Sequence, residues 1–233
     1  MNGNGLRVDS LDVRYGDARA VDNVSFSIES GQCLAILGSN AAGKSSIAKS
    51  IVGVVRPTKG AIEVGGQDVV GLAPHLIARA GIGYLPEGRG IFPSLTVAEN
   101  VRLGLGLISQ AKRESAEQRL FEQFPALASR RGQVAGTLSG GEQQMLAMGR
   151  ALVTEPRLLV IDELSLGLAP FIIDSIYESL RVAREQGVTI LLVEQYIDRA
   201  LAMADRVVLM QRGVVEWEGT AEEGKARLAG GYL

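Results

Sequence analysis

Nine consecutive residues, Gly38, Ser39, Asn40, Ala41, Ala42, Gly43, Lys44, Ser45 and Ser46, have the composition and spacing of a phosphate cradle. They follow the apolar run Cys33–Leu37 and open onto a stretch of helix formers. Strand, glycine-bearing loop and helix in that order is the context in which successive backbone N–H groups can point at one anion. The positive end of the helix dipole adds to that attraction. Lys44 is placed to reach the outer phosphates of a nucleotide, and the Ser45 hydroxyl to ligate Mg²⁺. The plain alternative is a glycine-rich turn that happens to contain Gly-Lys-Ser.

A second group of chemical interest ends the apolar run Leu158–Ile161, where two carboxylates, Asp162 and Glu163, stand side by side. A carboxylate at the end of a buried strand can hold Mg²⁺ that bridges phosphates, and Asp162 takes that role. The next carboxylate can accept a proton from an attacking water, which makes Glu163 the candidate general base. The third group is Leu138-Ser139-Gly140-Gly141-Glu142-Gln143-Gln144. Ser139 and Glu142 have capping-box spacing. Two glycines in a first helical turn weaken the helix, but they let backbone N–H groups approach an anion closely. Ser139, Gly140, Gly141 and Glu142 are therefore expected to form a second phosphate-binding helix end.

The elements that must carry these groups are legible in the hydrophobic pattern. Leu11–Tyr15 and Val24–Ile28 alternate apolar and polar residues, as half-exposed antiparallel strands do. Leu158–Ile161 and Thr189–Val193 are continuously apolar, as strands of a parallel sheet covered on both faces are, and Ile172–Glu185 has helical spacing between them. Val207–Met210 and Val214–Trp217 flank Gln211-Arg212-Gly213, a hairpin turn. From Ser94 to Thr154 strand signals give way to helical periodicity. There Thr96 and Glu99 form a capping box, and a helix over Ala111–Phe124 is expected to end at Pro125. The expected fold is α/β, with an antiparallel N-terminal sheet, a parallel nucleotide-binding core and an inserted helical lobe.

With 233 residues and a formal net charge of −2, the chain has room for one α/β domain with such an insertion. It lacks the excess of basic residues typical of a nucleic-acid-binding surface. Its single cysteine, Cys33, lies in an apolar run and reads as a core residue of a reducing compartment. No apolar stretch approaches the roughly 18–20 residues that span a bilayer, and Met1–Gly5 has no basic-then-apolar signal pattern.

The phosphate loop, the Leu138–Gln144 segment and the strand ending in Asp162-Glu163, in this order and spacing, resemble the ATP-binding subunits of ABC transporters over nearly the whole chain. The resemblance implies a P-loop ATPase domain over residues 1–233, with 94–154 as the helical subdomain and 1–93 plus 155–233 as the β subdomain and core. It implies ATP and Mg²⁺ as ligands, and two subunits packed head to tail. Each ATP would then lie between one chain's phosphate loop and the Ser139–Glu142 segment of the other. It further implies two membrane-spanning permease subunits, an external binding protein acting through them, and a peripheral place on the cytoplasmic face of the membrane. The segment Pro86–Pro93 is expected to border the groove that receives a permease helix. Tyr15 stands where this family stacks an aromatic ring on adenine.

Departures from the family pattern narrow the resemblance. Glu87, in Tyr84-Leu85-Pro86-Glu87-Gly88-Arg89, replaces the usual Gln. Gln195, in Leu192-Val193-Glu194-Gln195, replaces the usual His, and Ala169 in Ser165–Pro170 replaces an Asp. Together these look like the second ATPase subunit of branched-chain amino acid importers, with amide and urea importers close by. The absence of an additional C-terminal domain fits that branch. Glu87 is expected near Mg²⁺ or the attacking water, and Gln195 is expected to position the γ-phosphate without titrating. A sister ATPase is the favoured dimer partner, with a homodimer as the alternative. Ala41 stands where Gly is usual, and Leu164 where Pro is usual, which is expected to loosen the turn that aims Glu163. Two other functions compete: an ABC ATPase of DNA repair or translation, and a weakly hydrolysing regulatory partner. The chain has no room for the coiled coil or second ATPase half of the former, and the intact Lys44, Asp162 and Glu163 argue against the latter.

Overall fold

The computed structural model describes residues 5–88, 90–164 and 168–229. Alternating residues make the first two strands, β1 (Leu6–Tyr15) and β2 (Ala18–Ile28), one face of which is buried. They pair antiparallel, from Leu6 opposite Ile28 to Tyr15 opposite Ala18. The chain then enters β3 (Cys33–Gly38), buried up to Leu37, turns through the phosphate loop and forms α1 (Lys44–Ile51). It returns to the first sheet as β4 (Lys59–Val64) and β5 (Gln67–Asp68), giving the order β2-β1-β4-β5. A short α2 (Pro74–Arg79) leads to β6 (Ile82–Leu85).

Between β6 and the next named strand, every regular element among the described residues is helical. These are α3 (Val97–Leu105), α4 (Gln110–Gln123), α5 (Pro125–Ala128), a 3₁₀ turn at Ala135–Thr137 and α6 (Gly140–Leu152). Both capping boxes form: Thr96 caps α3 with Glu99, and Ser139 caps α6 with Glu142. Helix α4 stops at Gln123, and Pro125 opens α5 at a first-turn position, where its missing N–H costs nothing.

The remainder is β7 (Leu158–Asp162), α7 (Pro170–Glu185), β8 (Thr189–Glu194), α8 (Ile197–Met203), β9 (Arg206–Gln211), β10 (Val214–Thr220) and α9 (Ala221–Ala229). The second sheet has the order β10-β9-β3-β8-β7-β6, parallel except for the edge hairpin of β9 and β10. Its central strands β3, β7 and β8 are apolar along most of their length because each face meets its own core. Ala35, Leu37, Leu159, Ile161, Ile190 and Leu192 pack with residues of the helical segment, α7 and α8. Leu34, Ile36, Leu158, Val160, Leu191 and Val193 pack with α1 and the antiparallel sheet. Successive residues of one strand thus feed opposite layers.

Candidate functional site

Strands β3, β8, β7 and β6 are neighbours and run in one direction, so their carboxyl ends form one edge. The phosphate loop follows β3, Glu194-Gln195 ends β8, Asp162-Glu163 ends β7 and Glu87 follows β6. Ligands of open α/β sheets bind at such an edge. A cavity of about 470 Å³ opens there, lined by Ala20, Asn40–Ser46, Glu87, Glu163 and Gln195.

The loop itself is held in an uncommon conformation. Gly43 has φ 96° at the N-cap of α1, and a Cβ there would lie 2.3 Å from the Ala20 carbonyl oxygen. Ala41 has φ 63°, left-handed backbone adopted by an L-residue at a cost of about 1 kcal/mol. The Gly213 N–H in the β9–β10 turn donates to the Ala42 carbonyl at 3.1 Å and buttresses the loop from behind. Lys44 is buried, and its Nζ donates to the Gly38 and Ser39 carbonyls at 2.9 and 3.0 Å. Burial pulls its ammonium below the usual lysine range, against the negative charges of Glu163, Asp162 and Glu194.

Opposite the loop, the Ser45 hydroxyl donates to Asp162 Oδ1 at 2.8 Å. Asp162 is 1% exposed, and burial raises its carboxyl above the usual range, with the Ser45 bond acting the other way. The Tyr84 hydroxyl stands 3.5 Å from Asp162 Oδ2, long for a hydrogen bond but close enough to wall off that carboxylate. Tyr84 belongs to the motif that contains Glu87, yet its approach to Asp162 had no signature in the sequence.

Glu163 carries φ 53°, a second left-handed non-glycine residue at the site. Its N–H donates to the Val193 carbonyl at 3.0 Å, and its Oε1 accepts from the Gln195 side-chain amide at 2.7 Å. The turn after Glu163 is not loose at its first residue, contrary to the expectation drawn from Leu164. The Leu164 N–H donates to Glu194 Oε1 at 3.0 Å, a bond that a proline could not make. Arg89 of the Pro86–Arg89 motif, and Ser165, Leu166 and Gly167 after Glu163, lie outside the described residues.

Ser139, Gly140, Gly141 and Glu142 are not among the described residues that line the cavity. They form the capped start of α6, where Glu142 accepts from the Ser139 N–H at 2.9 Å and pairs with Arg130 at 2.9 Å. Gly141 also has a packing reason to be glycine, since a Cβ would lie 2.7 Å from the Ile172 side chain. Tyr15 is 50% exposed and its hydroxyl lies 3.3 Å from Ser46 Oγ, at the end of the phosphate loop. One chain therefore joins a phosphate loop, an acidic pair and the Gln195 amide, and leaves the glycine-rich helix end apart from them. The Ser45 hydroxyl and Asp162 carboxylate are hard oxygen donors of the kind Mg²⁺ takes alongside a nucleotide's phosphates. No cluster of three or more His, Cys, Asp or Glu suited to an all-protein metal site occurs among the described residues.

Residues 21–165 match the family model described as ABC transporter. The chain is 40% identical over 215 residues to the high-affinity branched-chain amino acid transport ATP-binding protein BraG of Pseudomonas aeruginosa, covering 92% of each protein. It is 35% identical over 219 residues to a probable branched-chain amino acid transport ATP-binding protein, LivF, of Archaeoglobus fulgidus, covering 94% of this chain and 93% of that one. Among solved structures, an ATP-binding cassette of an ABC transporter in its ADP conformation superposes with a TM-score of 0.85 at 27% identity, covering 96% and 94% of the two chains. With the phosphate loop, the Asp162-Glu163 strand end and this likeness over nearly its full length, the chain belongs to the ABC transporter family, as one of its ATP-hydrolysing motor subunits.

Proposed function

We propose that this chain drives an importer of branched-chain amino acids or related amides. In this reading ATP lies between the phosphate loop of one subunit and the Ser139–Glu142 helix end of a second. The observation that carries it is the separation of the two phosphate-binding elements, because the cavity at Lys44, Glu163 and Gln195 lacks the glycine-rich helix end. A second subunit supplies it. The names of the two relatives support the substrate class. A sister ATPase is favoured as the partner, with residues 94–154 as the helical lobe that carries Ser139 toward it.

In the closed pair, Lys44 and the loop N–H groups hold the β- and γ-phosphates. Magnesium, taken by the Ser45 hydroxyl and the Asp162 carboxylate with Glu87 at hand, would supply charge compensation at the outer phosphates. Glu163 removes a proton from the attacking water. The new O–P bond forms as the bond from the γ-phosphorus to the bridging oxygen breaks, and ADP leaves. Gln195 holds Glu163 in place and cannot itself titrate near neutral pH. Tyr15 offers a ring for the adenine.

The permease subunits have a candidate seat. A cleft of about 310 Å³ is lined by Val54, Ile77, Phe92, Leu103 and Leu107, with Arg150 beside them. Val54 and Phe92 are 58% and 49% exposed, an apolar patch suited to a docking helix. No helix among the described residues is long and apolar enough to cross a membrane, so attachment at the cytoplasmic face would run through this cleft.

Gel filtration with Mg-ATP tests the sandwich. Glu163→Gln should keep ATP and run as a dimer, whereas Lys44→Ala should bind no ATP and stay monomeric. If Glu163→Gln stays monomeric with every candidate sister subunit present, the shared-site model fails.

A further inference from the structure

The mechanism above uses Glu163 and Gln195 but not the residue that ends β8 just before Gln195. Glu194 is the last residue of β8, 1% exposed, in parallel register with Leu37 just before the phosphate loop. A carboxylate is costly to bury unless its oxygens are hydrogen-bonded. Its two oxygens face in different directions. Oε1 accepts from the Leu164 N–H at 3.0 Å, and Oε2 from the Gln195 N–H at 3.2 Å. Leu164 follows the general base and Gln195 is that base's hydrogen-bond partner. One buried side chain therefore grips the backbone on both sides of the Gln195–Glu163 contact.

Two further bonds complete the stitching. The Glu163 N–H reaches the Val193 carbonyl, and the Gln195 amide reaches Glu163 Oε1. The ends of β7 and β8 are thus joined at three points across 163–164 and 193–195, while the Gln195 N–H to Glu194 Oε2 bond fixes the β8 end locally. Without the Glu194 carboxylate, the Leu164 N–H would lose its acceptor beside a residue already held at φ 53°. The left-handed turn that aims Glu163 would then have one fewer restraint.

We infer that Glu194 is a positioning residue for ATP hydrolysis, its buried carboxylate clamping the Leu164 and Gln195 backbones so that Glu163 and Gln195 stay in contact. This rests on reading Glu163 as the general base. Glu194 is not among the described residues that line the cavity, and it acts through backbone geometry.

The test combines amide exchange and kinetics on the full chain. With nitrogen-labelled leucine, the Leu164 N–H should exchange slowly in the wild type and freely in Glu194→Ala, while Leu191 and Leu192 inside β8 stay protected in both. Equal exchange at Leu164 in the two proteins overturns the clamp. In ATP hydrolysis, run with the partner subunits where the chain needs them, Glu194→Ala should lower kcat by about 10- to 100-fold with KM for ATP and nucleotide affinity unchanged. Glu194→Gln keeps the shape and one acceptor oxygen, and it should recover part of that loss. Wild-type kcat in Glu194→Ala overturns the positioning role. So does a parallel loss of kcat and nucleotide affinity in both variants, which marks a residue needed only for folding. Hydrolysis that survives Glu163→Gln overturns the general-base reading instead, and the exchange contrast at Leu164 still reports on the clamp.

Discussion

The Gln195 side-chain amide donates to the Glu163 carboxylate across 2.7 Å, joining residues 32 apart in sequence at the ends of two adjacent parallel strands. The amide has a fixed donor and no proton to give near neutral pH, so the contact orients the carboxylate oxygen without competing for its proton. Gln195→Ala should therefore lower kcat by about 100-fold while leaving ATP affinity intact, the pattern of a misplaced catalytic group. Steady-state hydrolysis beside a fluorescent-nucleotide titration reads both quantities. An affinity that falls along with kcat would mean that Gln195 acts chiefly on the bound nucleotide.

The two capping boxes provide a built-in control. Thr96 with Glu99 and Ser139 with Glu142 have the same reciprocal geometry. Either cap replaced by Ala should cost about 1 kcal/mol of stability in a denaturant titration. Only Ser139→Ala should weaken the ATP-dependent dimer of a Glu163→Gln background. Equal weakening by Thr96→Ala would reduce the effect to helix stability alone.

Ala41 sits at φ 63°, where glycine carries no Cβ penalty. Relief of that strain exceeds the extra chain entropy that glycine brings to the unfolded state. Ala41→Gly should raise stability by about 0.5–1 kcal/mol, or about 1–4 °C in Tm. Calorimetry without nucleotide is the direct measurement, and an unchanged or lower Tm would show that the loop accommodates alanine without strain.

Cys33 is the buried first residue of β3, and burial pushes its thiol pKa up to about 12. The reactive thiolate is then scarce, and the sulfur is sealed from solvent. At pH 8 the native protein should leave Ellman's reagent uncoloured for hours and react with one equivalent on unfolding in guanidinium. Rapid native reaction would reveal opening of β3 at its start.

Much of the site was legible because its parts are local. Lys44 and Ser45 follow Gly43 within one turn, Asp162 and Glu163 are chain neighbours, and Ser139 and Glu142 are three residues apart. Each group can be read from spacing, since the strand, turn or helix that presents it is built from the same few residues. The antiparallel and parallel strands were readable for a related reason. Alternating runs have one wet face, and continuous apolar runs have none.

What could not be read depends on which distant segments become neighbours. Leu164 looked like a loss of rigidity, because the N–H that distinguishes it from proline gains meaning only where Glu194 meets it. Gly141 looked purely like an anion-binding feature, and the Ile172 side chain over it supplies a second reason. Tyr84 had no assigned role until parallel pairing with β7 brought it to Asp162.

The sequence by itself determined the chemical parts: a phosphate loop, two adjacent carboxylates proposed as metal ligand and general base, and a glycine-rich helix end. Short-range periodicity and backbone propensity are properties of a few consecutive residues, so they survive without any fold. Only the tertiary structure decided how the parts are grouped. The strand order β3-β8-β7-β6 places Lys44, Gln195, Glu163 and Glu87 around one cavity and leaves Ser139–Glu142 outside it. Strand order and register come from packing two hydrophobic layers against one sheet, a choice made by residues far apart in the chain, and no local pattern carries it.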